Sequence, residues 1–397
     1  MPDFDQPIPQ EKLDIIEKTR ANLFVWRGQF SPQLIETILS FYCPSNSVIL
    51  DPFVGSGTVL LEASYLSLEA YGFEINPAAY IMSRTYEFIN DSQKKEVLKN
   101  LRNILDQEFP LRIFEVSDQV ENLVDKLQNT RNMLPDRSKV LFDALVIILD
   151  VCNNKITQEF IQKKFLHLSN IITKLPYSQK RIRVGLSDAR YLPLKNNQID
   201  FVVTSPPYIN VFNYHQNYRQ SAEILGWDLL KIAKSEIGSN RANRSNRFYT
   251  VVQYCLDMGD ILKELARVSK QQARIVLIVG QESNVLGVPF YNADIIEKIG
   301  VKTKLFQKVL RQKRKFKNKF GKVIIEDIIN FINLNNQVSQ EVIEQISREV
   351  ALEVLESSRL FVSSENQLCL ESAIAKVNNI QKTPILDKRL YIDPVNI

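Results

Sequence analysis

A parallel β-sheet with crossover helices on its faces is the fold that this 397-residue chain predicts. Two observations carry the prediction. Short β-branched runs alternate with stretches of helical period, as βα units do. Two runs also end in an acidic or hydroxyl side chain followed at once by Pro, Asp51-Pro52 and Ser205-Pro206, and proline stops a strand and opens a turn. Length allows one enlarged domain or two, and the apolar and charged fractions, 45% and 24%, are those of an ordinary globular protein.

The elements follow in order. SVILDPF (47–53) is the first strand, and GSGTVLLEASYLS supplies its turn and helix. EAYGFEIN (69–76), RIRVGLSDA (181–189), IDFVVTS (199–205) and ARIVLIVG (273–280) are the next four. A long helical pattern, VVQYCLDMGDILKELARVSK, joins the last two, and KLFQKVLRQ and KVIIEDIINF (322–331) are two further strands around a basic run. Residues 89–180 break the rhythm with helical patterns only and read as an insertion, for target recognition or as a lid. The catalytic unit would then be 1–88 with 181–331, and 332–397 a helical extension opening with VSQEVIEQISREVALEVLESS.

Composition excludes several classes. The most apolar window, VLFDALVIILDVC (140–152), is short and carries two aspartates, so it reads as a buried helix rather than a membrane span. The opening MPDFDQPIPQEK shows no basic segment leading into an apolar one, so a cytoplasmic protein is expected. Four unpaired-looking cysteines and two histidines argue for reduced thiols and no metal site. Net charge is only +5, yet Lys302 to Lys322 holds ten Lys or Arg and no acid. Arg241, Arg244 and Arg247 form a second, smaller basic loop. A clustered basic face suggests a polyanion; a solvated charged hairpin is the plainer alternative.

Three stretches point to a small-molecule site. In DPFVGSGTVLLEA (51–63) a strand ends in Asp51, and Gly55 and Gly57 allow the chain to approach a ligand closely before a helix amino terminus. No GK[ST] follows and the GxGxxG spacing is absent, so neither a P-loop nor the usual dinucleotide fingerprint is present. Glu74 closes the second strand where nucleoside-binding folds place an acid for the ribose, and Asp188 ends the third on the same crevice. Each acid alone reads as well as a solvated carboxylate or a helix cap. The fourth stretch is TSPPYIN (204–210): two prolines cannot continue a sheet ladder, so they form a stiff turn at a strand's carboxyl end.

Taken in order, DPFVGSGT, FEINP, SDARYLP and TSPPY resemble the S-adenosylmethionine-dependent amino-methyltransferases, which modify an exocyclic amine of a base, most often in bacterial DNA. RGQFSPQLIETIL (27–39) is similar to that family's remaining cofactor motif. The likeness covers 26–88 and 181–331, and names neither the insertion nor the tail. It implies a class I methyltransferase fold: α/β, Rossmann-like, a mostly parallel seven-stranded sheet with the last strand antiparallel. It implies S-adenosylmethionine held by Phe30, Ser31, Pro32, Asp51, Pro52, Phe53, Gly55, Ser56, Gly57, Thr58, Glu74, Asn76, Asp188 and Ala189. The catalytic tetrapeptide would be Ser205, Pro206, Pro207 and Tyr208. Serine in its first place resembles the cytosine-N4 branch; adenine N6, a tRNA base and a catalytically silent nucleic-acid binder are the alternatives. No Pro-Cys pair offers the nucleophile of cytosine-C5 chemistry. Double-stranded DNA is the expected partner, with a cognate restriction endonuclease as a second, and Arg241, Arg244, Arg247, Arg311, Lys313, Arg314, Lys315 and Lys317 are the candidate contacts. Tyr214, His215 and Tyr218 either line a base pocket or pack in the core.

Overall fold

In a computed structural model, described for residues 3–110, 120–209, 214–239, 243–318 and 321–386 (without the side chains of 120–122), seven strands form one sheet. They are β1 (Val48–Asp51), β2 (Glu69–Glu74), β3 (Ile182–Leu186), β4 (Ile199–Thr204), β5 (Ser269–Gly280), β6 (Phe306–Lys317) and β7 (Val323–Asn333). Their spatial order is β3-β2-β1-β4-β5-β7-β6. The pairs from β3 through to β5 are parallel, and β7 runs antiparallel to both β5 and β6. This is the class I methyltransferase arrangement, in which the chain winds outward from β1 and returns to start again at β4. A doubly wound sheet opens its ligand crevice at that switch, beyond the carboxyl ends of β1 and β4.

Side chains alternate across the sheet with the two-residue period of a strand. In β4, Phe201 and Val203 pack on one face and Val202 on the other, all fully buried. The first face is covered by α1 (Pro32–Tyr42), α2 (Thr58–Tyr65) and α3 (Pro77–Arg84). The inserted helices α4 (Lys94–Glu108), α5 (Val120–Met133), α6 (Asp136–Leu149) and α7 (Gln158–Lys174) join the same apolar cluster through Leu101, Leu127, Phe142, Leu145 and Phe165. The insertion therefore has no separate core of its own. The second face carries α8 (Phe248–Val268), α9 (Asn292–Lys302) and α10 (Gln340–Ser357). Sequence patterning missed α9 and the small hairpin of Glu282–Val285 with Val288–Tyr291 that precedes it.

One edge of the sheet is β6, and the amino-terminal segment covers it. Gln312 exchanges hydrogen bonds with the backbone of Ile8, and Gln10 Nε2 donates to the Lys313 carbonyl. An edge strand so capped has fewer open donors and acceptors for a foreign strand. Among the described residues no helix is long and apolar enough to cross a membrane, and no group of three or more His, Cys, Asp or Glu is placed to hold a metal.

Candidate active site

The turn after β1 is built by two glycines in the left-handed region, Gly55 at φ +52° and Gly57 at φ +93°. At Gly57 the need is also spatial, because a Cβ there would lie 2.4 Å from the Tyr86 ring. Gly57 caps α2, whose first free N–H groups face the crevice end of the sheet. The turn is fixed from three sides. Val54 N donates to the Phe73 carbonyl, Ser56 Oγ to Gln29 Oε1, and Thr58 Oγ1 to Asn22 Oδ1. Asn22 Nδ2 in turn holds the Phe30 carbonyl, so the segment before α1 is docked onto the glycine turn.

Glu74 is the hub of the next loop. Its Oε2 accepts from Gly55 N and its Oε1 from both Ile75 N and Asn76 N, each at 2.9 Å. Burial pushes this carboxyl up to about 7; the backbone donors of Asn76, Gly55 and Ile75 oppose the rise and Glu236 adds to it. Asp51, at the tip of β1, accepts from Thr204 Oγ1 at 2.6 Å and Phe53 N at 3.1 Å. Burial raises it too, to about 7, against those two donors.

One cavity of about 450 Å³ runs along these strand ends. Phe30, Ser31, Pro52, Phe53, Gly55, Ser56, Thr58, Glu74, Asn76 and Ala189 line it, as does Asp188. Ser205, Pro206, Pro207 and Tyr208 line its other end. Pro32, Asp51 and Gly57 stand behind this lining: Pro32 at the start of α1, Asp51 under Thr204, Gly57 at the helix cap. Ser31 Oγ, Asn76 Nδ2 and Glu236 Oε1 are buried polar atoms without a hydrogen-bond partner, and all three residues belong to the cavity wall. Buried donors and acceptors left open in this way are the complement of a polar ligand.

At the β4 end, Ser205 Oγ lies 3.3 Å from Tyr208 Oη. Burial holds the Tyr208 hydroxyl in its neutral form well above its usual range. Its ring lies over Gly280 at the tip of β5, where an added Cβ would come within 2.9 Å of it. A roof crosses the glycine-turn end. Trp26 stacks with Tyr214 and Tyr218 at ring distances of 6.3 and 6.4 Å, and Gly55 lies beneath its edge. His215 is buried and bonds Glu236 Oε2 at 2.9 Å. Tyr214, one of the aromatic candidates, lines the cavity; Trp26, Glu236, Phe316 and Glu326 line it without having been singled out, and of these only Trp26, adjoining RGQFSPQ, carried a signal.

Two sets of side chains have partners that the sequence hid. The Asp188 carboxylate accepts from Arg190 N, Nε and Nη2 and from Leu386 N, so it is heavily engaged within the protein. The basic run is not one positive surface. Arg311 pairs with Asp294, Glu297 and Asp327, while Arg314 is buried against Glu326 inside the cavity. Lys313, Lys315 and Lys317 alternate with Arg314 and Phe316 and are exposed. Arg244 and Arg247 are exposed ahead of α8, and Arg241 lies outside the described residues.

Residues 10–84, which span the docked segment, the glycine turn and Glu74, match the N6_N4_Mtase family, DNA methylase. Over those 75 of the 397 residues the chain is similar to the DNA amino-methyltransferases. Type II methyltransferase M.MvaI of Kocuria varians is 33% identical over 240 residues, covering 46% of this chain and 52% of that protein. M.BsoBI of Geobacillus stearothermophilus is 24% identical over 272 residues, 53% of each. M.MjaII of Methanocaldococcus jannaschii is 32% identical over 79 residues, 20% of this chain and 15% of that one. The chain thus spans about half or less of the length of the curated relatives it matches. A SAM-dependent methyltransferase of Methanosarcina mazei overlaps 75% of this chain and 97% of its own at 13% identity and a TM-score of 0.34. S-adenosylmethionine is the cofactor of this amino-methyltransferase family, and the lining fits it: acceptors at Glu74, open polar atoms at Ser31 and Asn76, and apolar walls at Phe30, Phe53 and Ile75.

Proposed function

We propose that the protein methylates DNA at the exocyclic amine of a base turned out of the duplex, and that the base is cytosine, modified at N4. The observation that carries this reading is the shared cavity: the glycine turn with Glu74 and the Ser205-Pro206-Pro207-Tyr208 loop line its two ends. When bound, S-adenosylmethionine supplies a methyl group on a positively charged sulfur. The protein's task is to aim an amine at it.

An exocyclic amine is a poor nucleophile because its lone pair is delocalised into the ring. With Tyr208 donating to Ser205 Oγ, that oxygen keeps a lone pair for one amine hydrogen, and the Pro206 carbonyl accepts the other. Two acceptors on one nitrogen draw it toward tetrahedral geometry and free the lone pair for in-line attack. The prolines fix the carbonyl before substrate arrives, so no reorganisation is needed at the moment of reaction. Tyr208, held flat by Gly280, offers its ring to the turned-out base. Glu74 and the glycine turn hold the nucleoside end of the cofactor, and Ser31 and Asn76 complete its polar contacts. The exposed Lys313, Lys315 and Lys317, with Arg244 and Arg247, take the phosphate backbone. A cytoplasmic setting and a cognate restriction endonuclease accompany this reading.

Incubation with isotopically labelled S-adenosylmethionine and genomic DNA, followed by nucleoside mass spectrometry, should give N4-methylcytosine. N6-methyladenine would move the protein to the adenine branch, and label in RNA alone would overturn the proposal. Ser205→Ala should lower kcat by about two orders of magnitude, the effect of losing one preorganised polar group, with S-adenosylhomocysteine affinity kept.

A further inference from the structure

The cavity does not end at Tyr208. It continues over the tips of β7 and β6, where Arg314, Phe316, Ile324 and Glu326 line it. Register shows how these side chains share a face with the catalytic loop. Gly280 of β5 is paired directly with Glu326 of β7, and Glu326 directly with Arg314 of β6. Residues paired in this way project to the same side of a sheet. On that side of Gly280 lies the Tyr208 ring. Tyr208, Glu326 and Arg314 therefore form one row across the carboxyl end of the sheet, and Glu326 is close enough to raise the Tyr208 hydroxyl's pKa.

Arg314 is only 5% exposed, which is unusual for a residue meant to touch a phosphate backbone. Glu326 Oε2 engages its Nε and Nη2, both at 2.7 Å, and Phe316 lies under the guanidinium with its centroid 4.4 Å from Cζ. A guanidinium has five donors in a fixed fork, and this one is clamped flat by a carboxylate on one edge and a ring on one face. Arg314 belongs to the wall of the same cavity that Ser205 and Pro206 line.

The Watson–Crick edge of cytosine shows, in sequence, the N4 amine, the N3 acceptor and the O2 acceptor. That of adenine shows the N6 amine, the N1 acceptor and a C–H. With the amine held by Ser205 and Pro206, cytosine presents two adjacent acceptors, which a guanidinium fork matches, and adenine presents one. We infer that Arg314, buttressed by Glu326 and Phe316, reads the turned-out base by donating to N3 and O2 of cytosine. The inference rests on the cytosine-N4 reading and deepens it: Arg314 is the residue that selects the base, and the exposed lysines of the same strand serve the backbone.

The test begins by mapping the methylated site in the DNA of a host expressing the chain. N6-methyladenine there would remove the cytosine reading and the inference together. With N4-methylcytosine established, the inference stands or falls separately. Duplexes of the mapped site are made with cytosine or 3-deazacytosine at the target, and Kd is measured with S-adenosylhomocysteine bound, so chemistry does not enter. The deaza base pairs more weakly with guanine and is easier to turn out, so a protein that ignores N3 binds it equally or better. The wild type should bind it about tenfold more weakly, the scale of one lost base contact. Arg314→Gln should bind the two duplexes within about twofold of each other. Equal or tighter binding of the deaza duplex by the wild type would overturn the inference, and so would an undiminished penalty in Arg314→Gln. Should that variant fail to fold with Glu326 left unpaired, the double variant Arg314→Gln/Glu326→Gln removes the stranded carboxylate, and the wild-type comparison decides on its own.

Discussion

Glu74 accepts three backbone N–H groups and is still pushed up to about 7, because its burial outweighs them. The consequence for ligand binding has a definite sign. On the proposed reading ribose hydroxyls donate to the ionised carboxylate, and a neutral acid presents a proton where an acceptor is needed. Affinity for S-adenosylhomocysteine should therefore strengthen as pH rises through about 7 and level off above it, as titration calorimetry across that range would show. Glu74→Gln should weaken binding and leave a shallower slope, the remainder belonging to Asp51, which is also raised to about 7 by burial. An affinity independent of pH would show that neither carboxyl takes part. For stability the sign reverses. In the unfolded chain these groups ionise near their ordinary 4.5 and 3.8, so between those values and about 7 the folded state holds more protons. Their contribution to stability falls as pH rises through that window.

At the scale of elements, the parts of the site legible in the sequence were those built by contiguous residues. A glycine turn after an apolar strand and a Pro-Pro turn after another can be read because each is made within a few positions. Pairings set by register could not be read. Arg314 and Glu326 are twelve residues apart, and only the strand pairing shows that they meet beside the tip of β5. The ten basic residues of 302–322 read as one patch because strand alternation, which sends Lys313, Lys315 and Lys317 outward and Arg314 inward, is invisible in a charge count. The same register gives Gly280 a purpose. Its missing side chain is what lets Tyr208 lie against β5. Gly280→Ala puts a methyl group 2.9 Å from that ring and should tilt it away. Methyl transfer should fall by about tenfold, the worth of roughly 1.4 kcal/mol of lost positioning, while S-adenosylhomocysteine Kd stays within twofold. Unchanged turnover would mean the ring's seat on β5 is irrelevant to the reaction.

For the molecule as a whole, the carboxyl-terminal stretch is tied to the loop after β3 and to α8 by a charged cluster that no single motif announced. Arg190 binds Asp188 and Asp257, and all three side chains are buried. Residues 383–386 close the cluster: the carbonyls of Thr383 and Pro384 accept from Arg190, Thr383 N and Oγ1 donate to Asp257, and Leu386 N donates to Asp188. Ala189 of the cavity wall lies between Asp188 and Arg190, so the strap and the cavity share one loop. A buried charge cluster is stable only while every member keeps its partners. Burial raises Asp257 to about 6, and the Thr383 hydroxyl and backbone N–H are among the groups that hold it down. Thr383→Val removes the hydroxyl donor but keeps the shape, which should cost about 1–3 kcal/mol. The loss falls on the ionised form of Asp257. Urea unfolding of variant and wild type should therefore show a wider stability gap at pH 8 than at pH 5, where Asp257 is mostly protonated and asks less of its donor. An equal gap at both values would mean that the hydroxyl serves packing alone and that the strap is not held by charge.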